Sequence, residues 1–307
     1  MADNNISVSV KNVDKNYGKV NALQNINLEV SKGELFGCIG PDGAGKTTLF
    51  RILTTLLLPN AGTCSVEGWD VVKNYKEIRK IVGYMPGRFS LYPDLSVEEN
   101  LRFFASAFHT TVEENYSLIR DIYVQIEPFK KRKAAKLSGG MKQKLALSCA
   151  LIHKPLVLFL DEPTTGVDAV SRKEFWEMLK KLKSNGITIF VSTPYMDEAS
   201  LCDRVALIQK GKILIINTPD EIMNKYGESL WAVKAINMYR LLHDLRLLPG
   251  IKSAFAFGDT IHLSASANDI VTEDIIRFCQ EKNHTDVHIQ QVKATIEDCF
   301  MALMRKE

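Results

Sequence analysis

Glycine, lysine and threonine residues are concentrated in one short segment that follows an apolar run. The run Leu35 to Ile39 is typical of a buried strand, and it leads into a turn and a predicted helix. Glycines allow backbone N–H groups to point inward and a helix N-terminus adds partial positive charge, so such a turn binds phosphate groups. A lysine and a hydroxyl at the start of the helix add a contact to the outer phosphates and a ligand for Mg²⁺. The segment therefore predicts a phosphate-binding loop (P-loop) for a nucleoside triphosphate, made of Gly40, Pro41, Asp42, Gly43, Ala44, Gly45, Lys46, Thr47 and Thr48.

Two adjacent carboxylates, Asp161 and Glu162, end a second apolar run. Ligands of open α/β sheets bind beyond the carboxyl ends of the strands, so this pair is expected beside the phosphate-binding loop. Asp161 and the hydroxyl of Thr47 are the predicted Mg²⁺ ligands. Glu162 is placed to orient or deprotonate a water molecule that attacks the γ-phosphate. Hydrolysis of a nucleoside triphosphate is the predicted chemistry.

Strand and helix patterns alternate around the acidic pair. Leu156 to Leu160 and Ile187 to Ser192 are predicted strands, and the sequence between them from Ser171 to Lys183 is a predicted helix that ends before Asn185-Gly186. This βαβ order indicates parallel strands covered by helices. The phosphate-binding loop, which also joins a strand to a helix, belongs to the same α/β arrangement.

The chain is long enough for two domains. We expect an α/β domain of the P-loop NTPase class over residues 1–226, with a helical subdomain at about residues 88–154. After about residue 226 a new alternation of strands and helices predicts a small α+β domain over residues 227–307. Thr295 and Asp298 have the spacing of a capping box at the start of its last helix.

Composition is that of a globular α/β protein and disfavours several other classes. The 307 residues are 46% apolar and 24% charged, and a net charge of +3 is too small to indicate a nucleic acid partner. The longest apolar runs are far shorter than the roughly 18 to 20 residues that span a bilayer. The opening sequence MADNNISVSV lacks a basic and apolar secretory signal, so the protein is expected in the cytosol. The cysteines are scattered without a CxxC pair and are expected to be buried, reduced thiols without a metal.

A third motif lies shortly before the acidic pair. The segment Leu137 to Gln143 reads Leu-Ser-Gly-Gly-Met-Lys-Gln and resembles the signature of ABC ATPases. Its serine hydroxyl and glycine N–H groups, at a predicted helix N-terminus, form another anion site. The resemblance covers about residues 5–225 and implies that ATP and Mg²⁺ are bound in a head-to-tail dimer. In such dimers the residues corresponding to Ser138, Gly139 and Gly140 contact the nucleotide held by the opposite subunit.

The resemblance assigns further roles. Tyr17 is similar to the aromatic residue that stacks on adenine, and Lys46, Glu162 and Ser138 correspond to residues that act in hydrolysis. The segment Tyr84 to Leu101 resembles the one by which ABC ATPases contact their membrane subunits.

Several segments narrow the resemblance. The sequence after Tyr226, together with Gly211-Lys-Ile and Thr218-Pro-Asp-Glu-Ile, resembles ATP-binding subunits of bacterial multidrug-type exporters whose membrane subunits are separate chains. It implies transmembrane permease subunits as partners, a second ATPase subunit, and a location on the inner face of the cell membrane. The exported substrate, a drug, a lipid or a similar compound, is not indicated because the translocation path belongs to the membrane partners. Chromosome-maintenance and ribosome-acting ABC proteins are disfavoured because no sustained heptads separate the motifs and the chain has one P-loop.

Two positions depart from the family pattern. Gly87 stands where the family has a glutamine that ligates Mg²⁺ and senses the γ-phosphate, and Pro194 stands where it has a histidine that hydrogen-bonds that phosphate. Neither residue has a side-chain donor, so slow hydrolysis at this chain's own P-loop is expected unless water or a neighbouring side chain substitutes. The intact signature could complete the site of a different ATPase subunit. A heterodimer, a homodimer with poor turnover and a nucleotide-binding regulatory subunit therefore all stay open.

Overall fold

A computed structural model of the chain describes residues 5–88, 90–266 and 270–305. The backbone forms two compact units, residues 1–219 and residues 220–307. The sequence pattern changes at about residue 226, but the second unit already begins at residue 220. Residues 220–226 therefore belong to the second unit.

The first unit mixes strands and helices along its whole length. Its strands are β1 (Ile6–Tyr17), β2 (Val20–Ser31), β3 (Leu35–Ile39), β4 (Ala61–Val66), β5 (Trp69–Asp70), β6 (Val82–Met85), β7 (Val157–Asp161), β8 (Thr188–Thr193), β9 (Arg204–Gln209) and β10 (Lys212–Asn217). Its helices are α1 (Lys46–Leu53), α2 (Tyr75–Ile81), α3 (Val97–Ala107), α4 (Val112–Tyr123), α5 (Gly139–Leu151) and α6 (Ala169–Ser184).

The central sheet has the strand order β10-β9-β3-β8-β7-β6. All of its neighbouring pairs are parallel except β9 and β10. Every residue of β3, β7 and β8 is buried, as expected for a parallel sheet with helices packed against it. In register, Ile39 pairs with Thr193 and Asp161 pairs with Ser192, so these strands end at one common edge. This edge carries Asp161, one of the two residues predicted to bind Mg²⁺.

An aromatic cluster lies between α1 and the central sheet. The ring centroids of Phe36 and Phe190 are 5.2 Å apart at an interplanar angle of 82°, and those of Phe50 and Phe159 are 5.8 Å apart at 80°. Each edge-to-face pair contributes about 0.5–1.5 kcal/mol beyond its buried area. Because Phe50 belongs to α1, the cluster fixes the helix whose N-terminus follows the phosphate-binding loop.

A second, antiparallel sheet has the strand order β2-β1-β4-β5. Its long hairpin consists of β1 and β2, which have 12 residues each. Tyr17 ends β1 and pairs with Val20 across a turn that contains Gly18. The hairpin therefore places the predicted adenine-stacking tyrosine at its tip.

Helices α3, α4 and α5 lie within the range for which a helical subdomain is predicted. Helices α3 and α4 begin with capping boxes in which Ser96 with Glu99 and Thr111 with Glu114 exchange side-chain and backbone hydrogen bonds. Ser138 is the N-cap of α5, and its hydroxyl accepts a hydrogen bond from the Met141 N–H at 3.4 Å. The start of the signature helix is thereby fixed by the signature serine itself.

The second unit is a small α+β arrangement. Its strands are β11 (Glu228–Lys234), β12 (Ile251–Phe257), β13 (Thr260–Ser266) and β14 (His288–Gln291), which form an antiparallel sheet in the order β12-β13-β11-β14. Its helices are α7 (Pro219–Asn224), α8 (Met238–Leu245), α9 (Thr272–Glu281) and α10 (Ile296–Met304). A separate apolar core includes Trp231, Leu241, Leu263 and Ile275. The capping box predicted from Thr295 and Asp298 is present at α10.

The expectation of buried cysteines is met within the described residues. The cysteines are all buried and none forms a disulfide. Burial raises the pKa of the Cys38 thiol to about 12, although Lys46 acts in the opposite direction.

No helix in the described part of the chain combines the length and the apolar content needed to cross a bilayer. Residues 1–4, part of the opening sequence that lacks a secretory signal, lie outside the described residues.

Candidate nucleotide site

The phosphate-binding loop joins the buried end of β3 to the start of α1. Gly43 and Gly45 have φ values of +77° and +107°, in the region that residues with a Cβ atom rarely occupy. At Gly45 a Cβ would also lie 2.4 Å from the carbonyl oxygen of Ala22. The N-cap of α1 is Gly45 and has no side-chain hydrogen bond, so the first N–H groups of the helix are left for a ligand.

Lys46 is held inside this loop. Its side chain is 3% exposed, and its Nζ donates to the carbonyl oxygens of Gly40 at 2.7 Å and Pro41 at 3.0 Å. The same Nζ lies 3.1 Å from Oε1 of Glu162, whose side chain is 21% exposed. A buried ammonium with oxygen partners on several sides is fixed in direction, as a phosphate-binding lysine must be.

The acidic pair stands at the carboxyl end of β7. Asp161 is 2% exposed and its Oδ1 accepts a hydrogen bond of 2.7 Å from the Ser192 hydroxyl. Glu162 has a left-handed φ of +50°, which is uncommon for a residue other than glycine. This conformation turns the chain sharply after β7, so Asp161 stays buried while the Glu162 carboxylate reaches Lys46.

One hollow of about 640 Å³ brings together residues from separate parts of the sequence. The predicted site residues that line it are Tyr17, Gly43, Gly45, Lys46, Thr47, Thr48 and Glu162. Tyr17 is 47% exposed, and the Lys15 Nζ lies 5.6 Å from its ring centroid. An exposed ring at one end and an ammonium with N–H groups at the other match a nucleotide, which has a flat base and a charged phosphate chain.

The oxygen donors suit a hard cation. Thr47 lines the hollow and Asp161 ends β7 beside it, and neither offers sulfur or nitrogen. No group of three or more His, Cys, Asp or Glu side chains that could hold a metal occurs within the described residues. Mg²⁺ is usually bound by one or two protein oxygens together with substrate phosphates and water. This donor set therefore fits Mg²⁺ bound jointly with a nucleotide and does not fit a separate, protein-only metal site.

Both departures from the family pattern lie at this same edge. A Cβ built on Gly87 would be 3.0 Å from the Asp161 carbonyl oxygen and 3.7 Å from the Glu162 Cβ. Pro194 directly follows Thr193, whose carbonyl oxygen accepts a hydrogen bond of 3.3 Å from the Gly40 N–H. A side chain at position 87 would begin beside the acidic pair, and a side chain at position 194 would begin near the phosphate-binding loop.

The signature residues lie elsewhere. Ser138, Gly139 and Gly140 are not among the described residues that line the nucleotide hollow. A Cβ on Gly140 would be 2.7 Å from the Ser171 hydroxyl oxygen, so a larger residue here would require the Ser171 side chain to move. Within one chain the signature therefore does not line the nucleotide hollow, although Gly139 and Glu162 both line a second cavity.

A buried polar cluster beside β8 was not predicted from the sequence. The Glu198 carboxylate is 3% exposed and accepts hydrogen bonds from the hydroxyls of Thr193 at 2.6 Å and Thr164 at 3.1 Å. Arg172, at the start of α6, lies 3.9 Å from the second oxygen of Glu198 and stacks on the Tyr195 ring at 4.8 Å. The available sequence signal was the pair of hydroxyl residues, Ser192 and Thr193, that ends an otherwise apolar strand.

Comparisons with known proteins agree with this geometry. A family model described as "ABC transporter" matches residues 23–165. The "Probable multidrug ABC transporter ATP-binding protein YbhF" of Escherichia coli is 39% identical over 218 residues, which are 70% of this chain and 38% of that protein. The chain therefore spans well under half the length of this relative. A "Daunorubicin resistance ATP-binding protein" of Streptomyces coeruleorubidus is 32% identical over 308 residues and aligns with 99% of this chain and 96% of its own length.

Solved structures resemble about 70% of the chain. One described as "Structure of ATP binding subunit of ABC transporter" has a TM-score of 0.66 at 28% identity and covers 72% of this chain and 93% of its own. A dimeric ATP-binding cassette in a post-hydrolysis state, bound to ADP and Pi, has a TM-score of 0.63 at 27% identity and covers 69% and 98%. One relative aligns with this chain over nearly the whole length of both proteins, and the chain has the fold of these cassettes. The chain therefore belongs to the family of ABC transporter ATP-binding proteins.

Proposed function

We propose that this chain binds Mg²⁺ and ATP and couples their binding and hydrolysis to export through separate membrane subunits. The observation that carries the proposal is the contact between Lys46 and Glu162 in one hollow with the exposed Tyr17 ring. Relatives named for multidrug and daunorubicin resistance support export of a drug, a lipid or a similar compound. Location on the inner face of the cell membrane follows from the same proposal.

Each site residue has a distinct role in this proposal. Lys46 donates to the β- and γ-phosphates, and the N–H groups at the start of α1 bind the phosphate chain. Thr47 and Asp161 would hold Mg²⁺, which neutralises charge that develops on the transferred phosphoryl group. Glu162 accepts a hydrogen bond from the attacking water and orients it.

Purified chain reconstituted with its membrane subunits tests this function. We expect binding of ATP that requires Lys46, and ATP turnover that rises when a transported compound is added. If the properly folded chain does not bind ATP, the result contradicts the proposed function.

Turnover at the chain's own P-loop is proposed to be slow. Gly87 and Pro194 lie at the acidic pair and at the phosphate-binding loop but offer no side-chain donor there. Loss of one preorganised contact to a transition state commonly lowers the rate about 10²- to 10³-fold. The adenine and β-phosphate contacts do not involve these positions, so ATP binding is retained.

Restoring both side chains should therefore raise turnover. The double variant Gly87→Gln with Pro194→His is expected to hydrolyse ATP about 10²-fold faster than the natural sequence, measured as phosphate release at saturating Mg²⁺ and ATP. Gly87→Ala with Pro194→Ala is the matched control, because it adds the same Cβ beside the Asp161 carbonyl oxygen without a donor. Equal turnover in the restored, control and natural proteins would show that water or another side chain already fills these roles.

A head-to-tail dimer is the proposed assembly. Ser138, Gly139 and Gly140 do not line the nucleotide hollow of their own chain, and a second subunit would bring an equivalent signature to it. The solved dimeric cassette supports this arrangement. Light scattering of the purified chain with ATP distinguishes a homodimer from a chain that needs a different ATPase subunit.

The proposed contact with the membrane subunits is the segment Tyr84 to Leu101. Residues on this segment and on α3 and α5 line a largely apolar cavity of about 550 Å³, among them Met85, Leu91, Phe104, Phe108 and Ala146. Apolar cavities at a protein surface are typical of binding sites for a partner. Co-purification with the permease subunits tests this contact.

A second candidate function is a nucleotide-binding regulatory subunit that completes the active site of a partner ATPase. It is favoured by Gly87 and Pro194 together with an intact signature. In this case Glu162→Gln would leave the turnover of the mixed dimer unchanged, whereas Ser138→Ala would lower it. If instead Glu162→Gln lowers the turnover and Ser138→Ala leaves it unchanged, hydrolysis takes place at this chain's own phosphate-binding loop.

A further inference from the structure

We propose that Ser192 is a positioning residue that orients the Asp161 carboxylate and stabilises the backbone turn at Glu162. The proposal rests on the proposed function of the site as a binding site for Mg²⁺ and ATP. It assigns to one buried hydroxyl the alignment of the predicted metal ligand and of the predicted water-orienting residue. The residues at positions 87 and 194 cannot align Asp161 or Glu162 through a side chain, because glycine and proline have no side-chain hydrogen-bond donor.

The hydroxyl of Ser192 contacts both residues of the pair. Ser192 is completely buried on β8, directly across from Asp161 on β7. Its Oγ donates to Asp161 Oδ1 at 2.7 Å and accepts from the Glu162 N–H at 3.0 Å. One hydroxyl can donate once and accept at the same time, so the two hydrogen bonds are compatible. They form a short chain in which each bond polarises the other.

The bond to Asp161 selects which oxygen is available to a metal. Within the described residues Asp161 receives no other side-chain hydrogen bond, and Ser192 binds its Oδ1. The second oxygen, Oδ2, is left for a cation. Hydrogen bonds to ligating carboxylates fix their direction, and loss of such a partner typically lowers metal affinity or activity about 10- to 100-fold.

The bond to Glu162 holds an unusual backbone conformation. The Glu162 N–H also approaches the Ser192 carbonyl oxygen at 3.1 Å, so both oxygens of Ser192 accept from it. This N–H belongs to the residue with a φ of +50°, a conformation that persists only where surrounding contacts require it. Ser192 therefore helps to set the turn that directs the Glu162 carboxylate toward Lys46.

Ser192→Ala tests the proposal by metal dependence. The binding of a fluorescent ATP analogue is titrated with Mg²⁺, and Mn²⁺ affinity in the presence of ATP is measured by electron paramagnetic resonance. We expect the variant to need about 10-fold more of either metal, while ATP binding in EDTA stays close to that of the natural protein. Ser192→Thr keeps the hydroxyl and should restore the metal dependence.

Ser148→Ala is the matched control. Ser148 is also completely buried, but its hydroxyl donates to the Lys144 carbonyl oxygen within α5 at 2.8 Å. It should leave the metal dependence unchanged even if it lowers the melting temperature.

The possible results separate three conclusions. Unchanged metal affinity in Ser192→Ala, or an equal loss in Ser148→Ala, would overturn the positioning role. An equal loss of ATP binding with and without metal would also overturn it, because the serine would then support only the fold. If the natural protein itself shows no metal-dependent ATP binding, the proposed function of the site fails first.

Discussion

Lys46→Met is expected to lower the affinity for Mg²⁺ and ATP about 100-fold and to remove most of the turnover. A charged hydrogen bond contributes about 1.5–3 kcal/mol, and each 1.4 kcal/mol changes an equilibrium tenfold. Lys46 is buried against two backbone carbonyl oxygens and Glu162, so its ammonium cannot be replaced by a flexible neighbour. Methionine keeps the apolar stem but has no donor.

The measurement is the rise in melting temperature that Mg²⁺ and ATP produce, because a ligand stabilises only the folded state that binds it. Lys144→Met is the control. Lys144 also lies in an ion pair, 2.8 Å from Glu174, but outside the nucleotide hollow. An ATP-induced rise that survives in Lys46→Met would contradict the assignment of the loop.

Gly45→Ala is expected to destabilise the first unit by about 3 kcal/mol and to abolish ATP binding. A positive φ costs a residue with a Cβ roughly 1–2 kcal/mol, and forcing a new atom into a packed region costs about 1–3 kcal/mol more. At Gly45 both terms apply, since φ is +107° and the added Cβ would be 2.4 Å from a backbone oxygen. The shift needed to relieve that contact would move the start of α1.

Gly43→Ala separates the two costs. Gly43 has a φ of +77° but no atom within 4 Å of an added Cβ, so only the conformational cost of about 1–2 kcal/mol applies. Urea unfolding followed by tryptophan fluorescence measures both variants. A background with Trp231→Phe leaves Trp69 and Trp176, both in the first unit, as reporters. Equal destabilisation of the two variants would show that the contact at Gly45 relaxes without cost.

The elements around the phosphate-binding loop were predictable because their signals are local. An apolar run, a glycine turn and a helix start identify β3 and α1, and β7 and β8 were placed to within one residue at each end. Other elements were not identified. The strand Val82–Met85 is short and contains a glycine, and Ala61–Val66 lacks a clear alternation of apolar and polar residues. They form strands by pairing with β7 and β1, respectively, which are distant in sequence.

The chemical details of the site depended on contacts between distant residues. The sequence identified Asp161 and Glu162 as a pair, but the left-handed conformation of Glu162 has no sequence signal because the residue is not glycine. The hydroxyl of Ser192 reaches Asp161 only because two strands have a particular register. The same holds for Glu198 and its partners, which meet where β8 ends.

Because the native cysteines are buried, disulfide formation between introduced cysteines can measure how close two subunits approach each other. An exposed cysteine has a pKa of about 8.5 and reacts readily, whereas buried thiols are inert. All native cysteines are buried, and the Cys38 pKa is raised to about 12 by that burial. Cysteines introduced at the exposed positions Asp42 and Ser138 would therefore be the reactive ones. Disulfide formation between a copy with Asp42→Cys and a copy with Ser138→Cys would then report directly how closely one subunit's signature approaches the other subunit's phosphates.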